Sequence, residues 1–311
     1  MHIVLPGALP PPREARELIP HIEKSAPTLV HWFRRCRAVS TPADPVATGC
    51  TPWEVWQLQA CGFAPGKAQN FATGLGPLYA DFAPASADTP VWLAELVHIS
   101  PSRDGAALLP AGELDIHQEH SVALFDSVKA LFDDAGFDLA PCSPVHWRVT
   151  LPPGCTLPST SPALVAQTSV NDWWPQTAPS RAWRKLVNEI QMLWFDHPVN
   201  QERFAQQLLP VNSLWLFGGA SPGQFTQQPA QVSPATGTRL LQAANRQDWG
   251  LWLQELAALE QAQFQGRPQP SRVVLTGPDR IVTLTPAPTA RLLGWTPWRQ
   301  NDWRRWWSPP D

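Results

Sequence analysis

The residue types best suited to chemistry gather between positions 181 and 219, in RAWRKLVNEIQMLWFDHPVNQERFAQQLLPVNSLWLFGG. A helical stretch displays Asn188 and Gln191 among apolar neighbours. His197-Pro198-Val199-Asn200 then turns the chain, Arg203 follows, and Pro210-Val211-Asn212-Ser213 leads into a strand with Trp215. His, Asn and Arg concentrated at element ends are where α/β folds bind small polar molecules. Together with Arg148, Arg203 and His197 could hold a phosphate or carboxylate by charge-assisted hydrogen bonds. The same residues suit plain structure: Asn200 and Asn212 can satisfy backbone groups at tight turns, and a His before Pro can close a helix end.

Other chemistries find less. There is no GxxxxGK[ST] and no GxGxxG, so the compact signatures of a phosphate loop are missing. No histidine follows His197, and the later acids are scattered, which leaves little for a two-metal site. The remaining metal candidate is Asp104, Asp115, His117, Glu119 and His120, although acids before a helix are also expected for its dipole. The expectation is therefore no metal and no cofactor. The C-terminal stretch interleaves Trp295, Trp298, Trp303, Trp306 and Trp307 with Arg291, Arg299, Arg304 and Arg305. Stacked aromatics beside Arg can form a partner surface or a single-strand platform, or they can close the edge of a core with Arg over their faces. Trp298, Trp303, Arg304 and Trp306 are the expected partner contacts, with a protein favoured over nucleic acid.

The run HPVNxxR at 197–203, followed by PVNSLWLFG at 210–218, resembles segments of cofactor-independent phosphoglycerate mutases of the archaeal type, in the alkaline-phosphatase superfamily. The helix over 118–135, then Gly136-Phe137 and Val145-His146-Trp147-Arg148, resembles that family's inserted domain. The strings NEIQMLWFDHPVN and LLPVNSLWLFG look like bacterial regulatory proteins of the RpfE type. The resemblance covers about residues 90–220. It implies a reduced phosphatase-like core with an inserted α+β domain, and it points to Arg148, His197, Asn200, Arg203, Asn212 and Trp215 as ligand contacts. Active mutases of the family carry an N-terminal Asp-Gly, a Ser or Thr nucleophile and late Asp and His metal ligands. Here the chain opens His2-Ile3-Val4-Leu5-Pro6-Gly7, with no acid. The resemblance without those ligands implies a non-catalytic regulatory or binding protein, with an altered metal-dependent mutase or phosphatase as the alternative, and single-strand binding through the tail as a second one.

Periodicity places the elements that must position these residues. Strands are expected at His2–Leu5, 91–99, 137–140, 145–151, 211–217, 273–276 and 281–285. A helix is expected from Ser25, with Ser25 as N-cap and Leu29, Trp32, Phe33 and Cys36 on one face. Thr51-Pro52-Trp53-Glu54 has the form of a capping box with Pro at the first helical position. The helix over 118–135 puts Val122, Phe125, Val128 and Phe132 on one face and ends at Gly136. A second helix at 181–195 buries Trp183, Leu186, Val187, Ile190 and Trp194, and a third lies near 248–262. Residues 64–90 are expected as loop with one turn near 68–72, and 220–236 as a surface excursion.

The strand–helix alternation gives an α/β class. On the resemblance, residues 1–90 and 211–311 form the two parts of the core and 91–210 the insert. Charged residues make up 16% of the chain, 43% are hydrophobic and the net charge is -3, which excludes a disordered chain and a general nucleic-acid footprint. No apolar run is long enough to span a membrane. The absence of a signal-like start and the odd count of five cysteines point to the cytoplasm.

Overall fold

In the computed structural model, residues 2–80, 86–103, 105–227, 237–287 and 302–309 are described. The chain is a mixed α/β protein with two sheets. Its strands are β1 (His2–Leu5), β2 (Cys36–Pro42), β3 (Val91–Ser102), β4 (Gly105–Leu109), β5 (Asp138–Pro141), β6 (His146–Thr150), β7 (Ser213–Ala220), β8 (Arg272–Thr276) and β9 (Arg280–Pro286). They divide between two compact units, the first built from residues 1–45, 51–57 and 230–311, the second from 46–50 and 58–229. Residues 91–210 and β7 both fall within the second unit.

The first unit has a four-stranded sheet in the order β1-β8-β9-β2. β1 runs parallel to β8, with Leu5 opposite Leu275, and the remaining pairings are antiparallel. Its core joins Leu5 and Leu9 to Leu18, Trp32, Phe33, Trp252, Leu275 and Trp307. The helix Pro12–Ser25 was hidden in the sequence by the run Pro10-Pro11-Pro12. Pro12 occupies the first helical turn, where a missing N–H removes no helical bond, and Ala15, Leu18 and Ile22 follow at helical spacing and are buried. Ser25 is therefore not an N-cap: it is the last residue of this helix, and its hydroxyl donates back to the His21 carbonyl. The next helix, Pro27–Arg35, starts after Ala26 and buries Leu29, Trp32 and Phe33 as expected, whereas Cys36 opens β2.

In the second unit β3 is central. One edge pairs antiparallel with β7, from Trp92↔Gly218 to Val97↔Ser213; the other pairs with β6 at Trp92–Glu95 and with β4 at His98–Ser102. β5 completes the sheet on β6. The helices Gln118–Asp134 and Arg181–Phe195 cover one face, where Ala94, Leu96, Trp147, Leu214 and Leu216 meet Leu124, Phe132, Trp183, Ile190 and Trp194. In the first of these helices Val128 and Phe132 of the expected face are buried, with Leu124, and Phe125 packs against the same core, whereas Val122 is exposed. Gly136 takes the left-handed conformation after that helix, with φ 77°. β3 runs past Ser100-Pro101 because its end forms a hairpin with β4. The stretch 64–90 holds two short turns of helix, Phe71–Gly74 and Leu75–Tyr79, and in it Gly76 has a positional role. A Cβ there would stand 2.0 Å from the Val91 carbonyl oxygen, so only glycine admits this approach to the sheet.

The capping box is present as read: Glu54 accepts from the Thr51 N–H and hydroxyl, and the Thr51 hydroxyl accepts from the Glu54 N–H. No described helix is long and apolar enough to cross a membrane.

Candidate functional site

The helix Arg181–Phe195 ends before Pro198, and His197 caps the following helix, Pro198–Ala205, through Nδ1, which accepts from the Val199 N–H at 3.2 Å. Burial pushes the pKa of this imidazole below its ordinary value, and the cap requires the unprotonated nitrogen. Asn200 is buried in the turn. Its Nδ2 donates to the carbonyls of Trp194 and Val211, each at 2.8 Å, and its Oδ1 accepts from the Val211 N–H at 2.9 Å. Asn212 clips the same segment to β3, accepting from the Ile99 N–H and donating to the Ile99 carbonyl, each at 2.8 Å.

Arg203 is fully buried. Its guanidinium donates to the carbonyls of Leu209 at 2.8 Å, Asp115 at 3.1 Å and Leu114, and lies 3.4 Å from His120 Nδ1. Burial lowers its pKa against an opposing effect of Asp115. Buried polar groups are held where hydrogen bonds repay their desolvation, and here the repayment comes from the chain itself. Asn200, Arg203 and Asn212, expected as ligand contacts, are thus backbone staples, and the expected use of Arg203 for an anion is corrected. Arg148 does not join them. Trp147 and Val149 of β6 point to the helix-covered face, so Arg148 lies on the opposite face with His146.

That opposite face holds a second polar group. Glu95 is 6% exposed; Oε1 accepts from the Ala111 N–H at 2.8 Å and Oε2 lies 3.2 Å from His146 Nε2. His146 Nδ1 is 3.4 Å from Ser143 Oγ, with Tyr79 stacked on the imidazole. The connectivity is that of a Ser-His-acid relay. However, the Ser143 oxygen already accepts from the N–H groups of Val145 at 3.3 Å and His146 at 3.0 Å. With its lone pairs engaged in the turn, Ser143 is a turn-former and the trio an internal tie between strands. The signal for it in the sequence is one acid, Glu95, inside the apolar run VWLAELVHI.

The remaining cluster read from sequence does not close into a metal site. Asp104 lies outside the described residues, Asp115 and His117 are exposed at 3.9 Å, and His120 is taken up beside Arg203. Among the described residues no three His, Cys, Asp or Glu side chains form a metal-binding group. Of the expected C-terminal partner contacts, Trp303 belongs to the core of the first unit. Trp303 and Trp307 are buried against Phe33, the Trp307 indole donates to the Ala15 carbonyl, and Arg304 pairs with Glu23 at 2.9 Å. Trp306 is half-buried against the same core, and Trp298 falls outside the described residues.

The second unit also has a small cleft of about 20 Å³ at the β7 edge of its sheet, room for roughly one water. Trp215, expected as a ligand contact, lines it with Trp173, Trp174, Trp183, Pro158 and Pro175. The rings of Trp174 and Trp215 are in tilted contact, 5.7 Å apart at 49°. Two indole N–H groups face inward to the protein: Trp215 donates to the Thr160 carbonyl and Trp173 to the Thr168 hydroxyl, each at 2.9 Å. Trp174 also borders an open groove of about 520 Å³, whose polar lining is Asn171, Gln176, Asn188 and Gln191. The sequence signal missed here is the pair Trp173-Trp174 set before Pro175.

No protein-family model matches the chain, and no curated protein matches it. Among solved structures it is similar to a cofactor-independent phosphoglycerate mutase from Thermoplasma acidophilum, with 14% identity and a TM-score of 0.29 over 91% of this chain and 88% of that one. A similarity of this size carries no residue role across.

Proposed function

We propose that the chain is a non-catalytic binding or regulatory protein of the RpfE type, acting in the cytoplasm, whose architecture descends from a phosphoglycerate-mutase-like ancestor. One observation carries this reading: Asn200, Arg203 and Asn212, the motif positions that would meet a ligand, all bond the chain's own backbone. The motif order HPVNxxR and PVNSLWLFG supports the ancestry. The use of Asn200, Arg203 and Asn212 as staples supports a scaffold kept after its chemistry was given up.

The test is a phosphoglycerate mutase assay on the full chain, with and without manganese, paired with metal analysis of the purified protein. Neither turnover nor stoichiometric metal is expected. Manganese-dependent turnover that disappears in Asp115→Ala or His120→Ala would overturn the reading in favour of an altered mutase site.

A further inference from the structure

We infer that residues 192–209 of the second unit form a docking face for a basic, amphipathic protein segment, an inference that rests on the binding reading above and gives it a partner. Five of the eight large apolar side chains that stand exposed among the described residues lie in this stretch: Met192 at 79% exposed, Phe195 and Phe204 at 81%, and Leu193 and Leu209. Such side chains scattered singly are ordinary; these share one corner of the unit. Met192 and Phe195 are neighbours at i and i+3 of their helix. Asn200 ties that helix end to the 209–212 segment through the carbonyls of Trp194 and Val211, and Arg203 Nε holds the Leu209 carbonyl at 2.8 Å. The staples thus give a surface its shape. The two phenylalanines alone leave on the order of 300 Å² of ring in water, the size at which an apolar patch marks an interaction site.

The charges around this face decide what covers it. Between residues 186 and 212 the charged side chains that reach solvent are Glu189, Asp196 and Glu202, all acidic, because Arg203 is buried and His197 serves as a neutral cap. Glu202 accepts from the Gln206 amide at 3.1 Å, which leaves its charge standing. The helix Gln118–Asp134, packed on the same sheet face, adds exposed Glu119, Asp126, Asp133 and Asp134 against Lys129. The bases that precede the patch on its own helix are committed or distant: Lys185 pairs with Glu189 at 3.6 Å, Arg184 donates to the carbonyls of Pro175 and Thr177, and Arg181 lies roughly 16 Å before Met192 along the axis.

A second copy of the chain fits this rim poorly. A two-fold contact is isologous, so it would set Asp196 and Glu202 against their own images, and like charges brought together oppose association. Anionic lipid headgroups, which attract basic segments, are repelled by the same acids. The occupant that satisfies both rings and carboxylates is an amphipathic helix whose apolar stripe is flanked by Lys or Arg. Its stripe covers Met192, Phe195 and Phe204, while its cations meet Asp196 and Glu202 and are steered in by them.

The chain has two methionines, Met1 and Met192, so the methyl resonance of Met192 watches the face directly. The experiment titrates a four-turn synthetic helical peptide of Leu and Lys into the full-length chain, with a Leu/Glu counterpart and vesicles of neutral and of anionic lipid run beside it. The Leu/Lys peptide is expected to shift the Met192 methyl, to bind about tenfold or more tightly than the Leu/Glu peptide, and to weaken as salt is raised. Phe195→Ala combined with Phe204→Ala should cost roughly tenfold or more in affinity; both rings are exposed, so the fold is kept. Asp196→Asn combined with Glu202→Gln should cost roughly 2- to 10-fold at low salt. Equal binding of the two peptides, or Leu/Lys binding untouched by the phenylalanine replacements, overturns the inference. So does a Met192 shift that follows vesicles and not the peptide, or one that follows the chain's own concentration together with a doubled mass in sedimentation equilibrium. A Met192 methyl that ignores both peptides, in a chain without mutase turnover, overturns the docking face and leaves the reading above standing; the same silence with manganese-dependent turnover overturns both.

Discussion

Replacing Arg203 by Met separates a staple from a ligand contact. Methionine keeps most of the side-chain volume and removes every donor, leaving the carbonyls of Leu114, Asp115 and Leu209 without theirs. An unsatisfied buried acceptor costs about 1–3 kcal/mol, so three give about 3–9 kcal/mol. Against this stands the relief of a buried cation, several kcal/mol of desolvation no longer incurred. The expected net loss is about 3–5 kcal/mol, a third or more of the stability of an ordinary domain. Urea unfolding followed by far-ultraviolet circular dichroism measures it as a lowered midpoint with an unchanged slope. Arg203→Lys should restore only part of the loss, because an ammonium lacks the planar fork that reaches three carbonyls at once. A change within about 0.5 kcal/mol, the usual range of a surface position, would refute the reasoning and return Arg203 to the list of ligand contacts.

Three further outcomes follow from the same structure. Gly76→Ala, whose Cβ would meet the Val91 carbonyl oxygen at 2.0 Å, should cost about 2–4 kcal/mol by forcing backbone apart; a thermal midpoint equal to the parent's would show that the approach is loose. Trp307→Ala should destabilise the first unit by about 3–5 kcal/mol, read by denaturant unfolding, and a loss under 1 kcal/mol would mean that the tail is not core. His197 has a folded pKa below its unfolded value near 6.5, so between the two the unfolded chain binds more protons and stability rises with pH. The contribution is complete above about pH 6.5 and is lost as the pH falls toward the folded value. His197→Asn, which keeps a capping side chain, should flatten that part of the urea-derived stability profile, and an unaltered slope would count against the neutral cap.

What could be read ahead of the structure was local. The Thr51–Glu54 capping box and the helix at 181–195 declare themselves because cap and apolar stripe lie within a few residues of each other. β2 was missed because a strand such as Cys36–Pro42, with most of its residues outside the core, is made by its ladder to β9. The partner stands some two hundred and forty residues away, at Arg280–Pro286. The motif residues were found and their roles were not. An Asn or Arg at an element end has the same sequence signature whether it faces a ligand or a carbonyl, and only the path of the 209–212 segment past Asn200 and Arg203 decides between them. The cleft draws on four separated stretches, 157–160, 173–175, 183 and 215–216, each of which reads alone as ordinary core.

The pairing of β1 with β8 also sets an order of events during synthesis. Leu5 waits for Leu275, which leaves the ribosome two hundred and seventy residues later; at roughly 5–20 residues per second that is between about a quarter of a minute and a minute. In that interval the second unit, nearly continuous between residues 58 and 229, is fully emerged and able to close around its own sheet. The first unit cannot: its apolar N-terminal strand and the helices after it must be kept from other chains until the last strands arrive. The nascent protein thus carries the unpaired edge of its first sheet through most of its synthesis, with a finished second unit beside it only over the last stretch beyond residue 229.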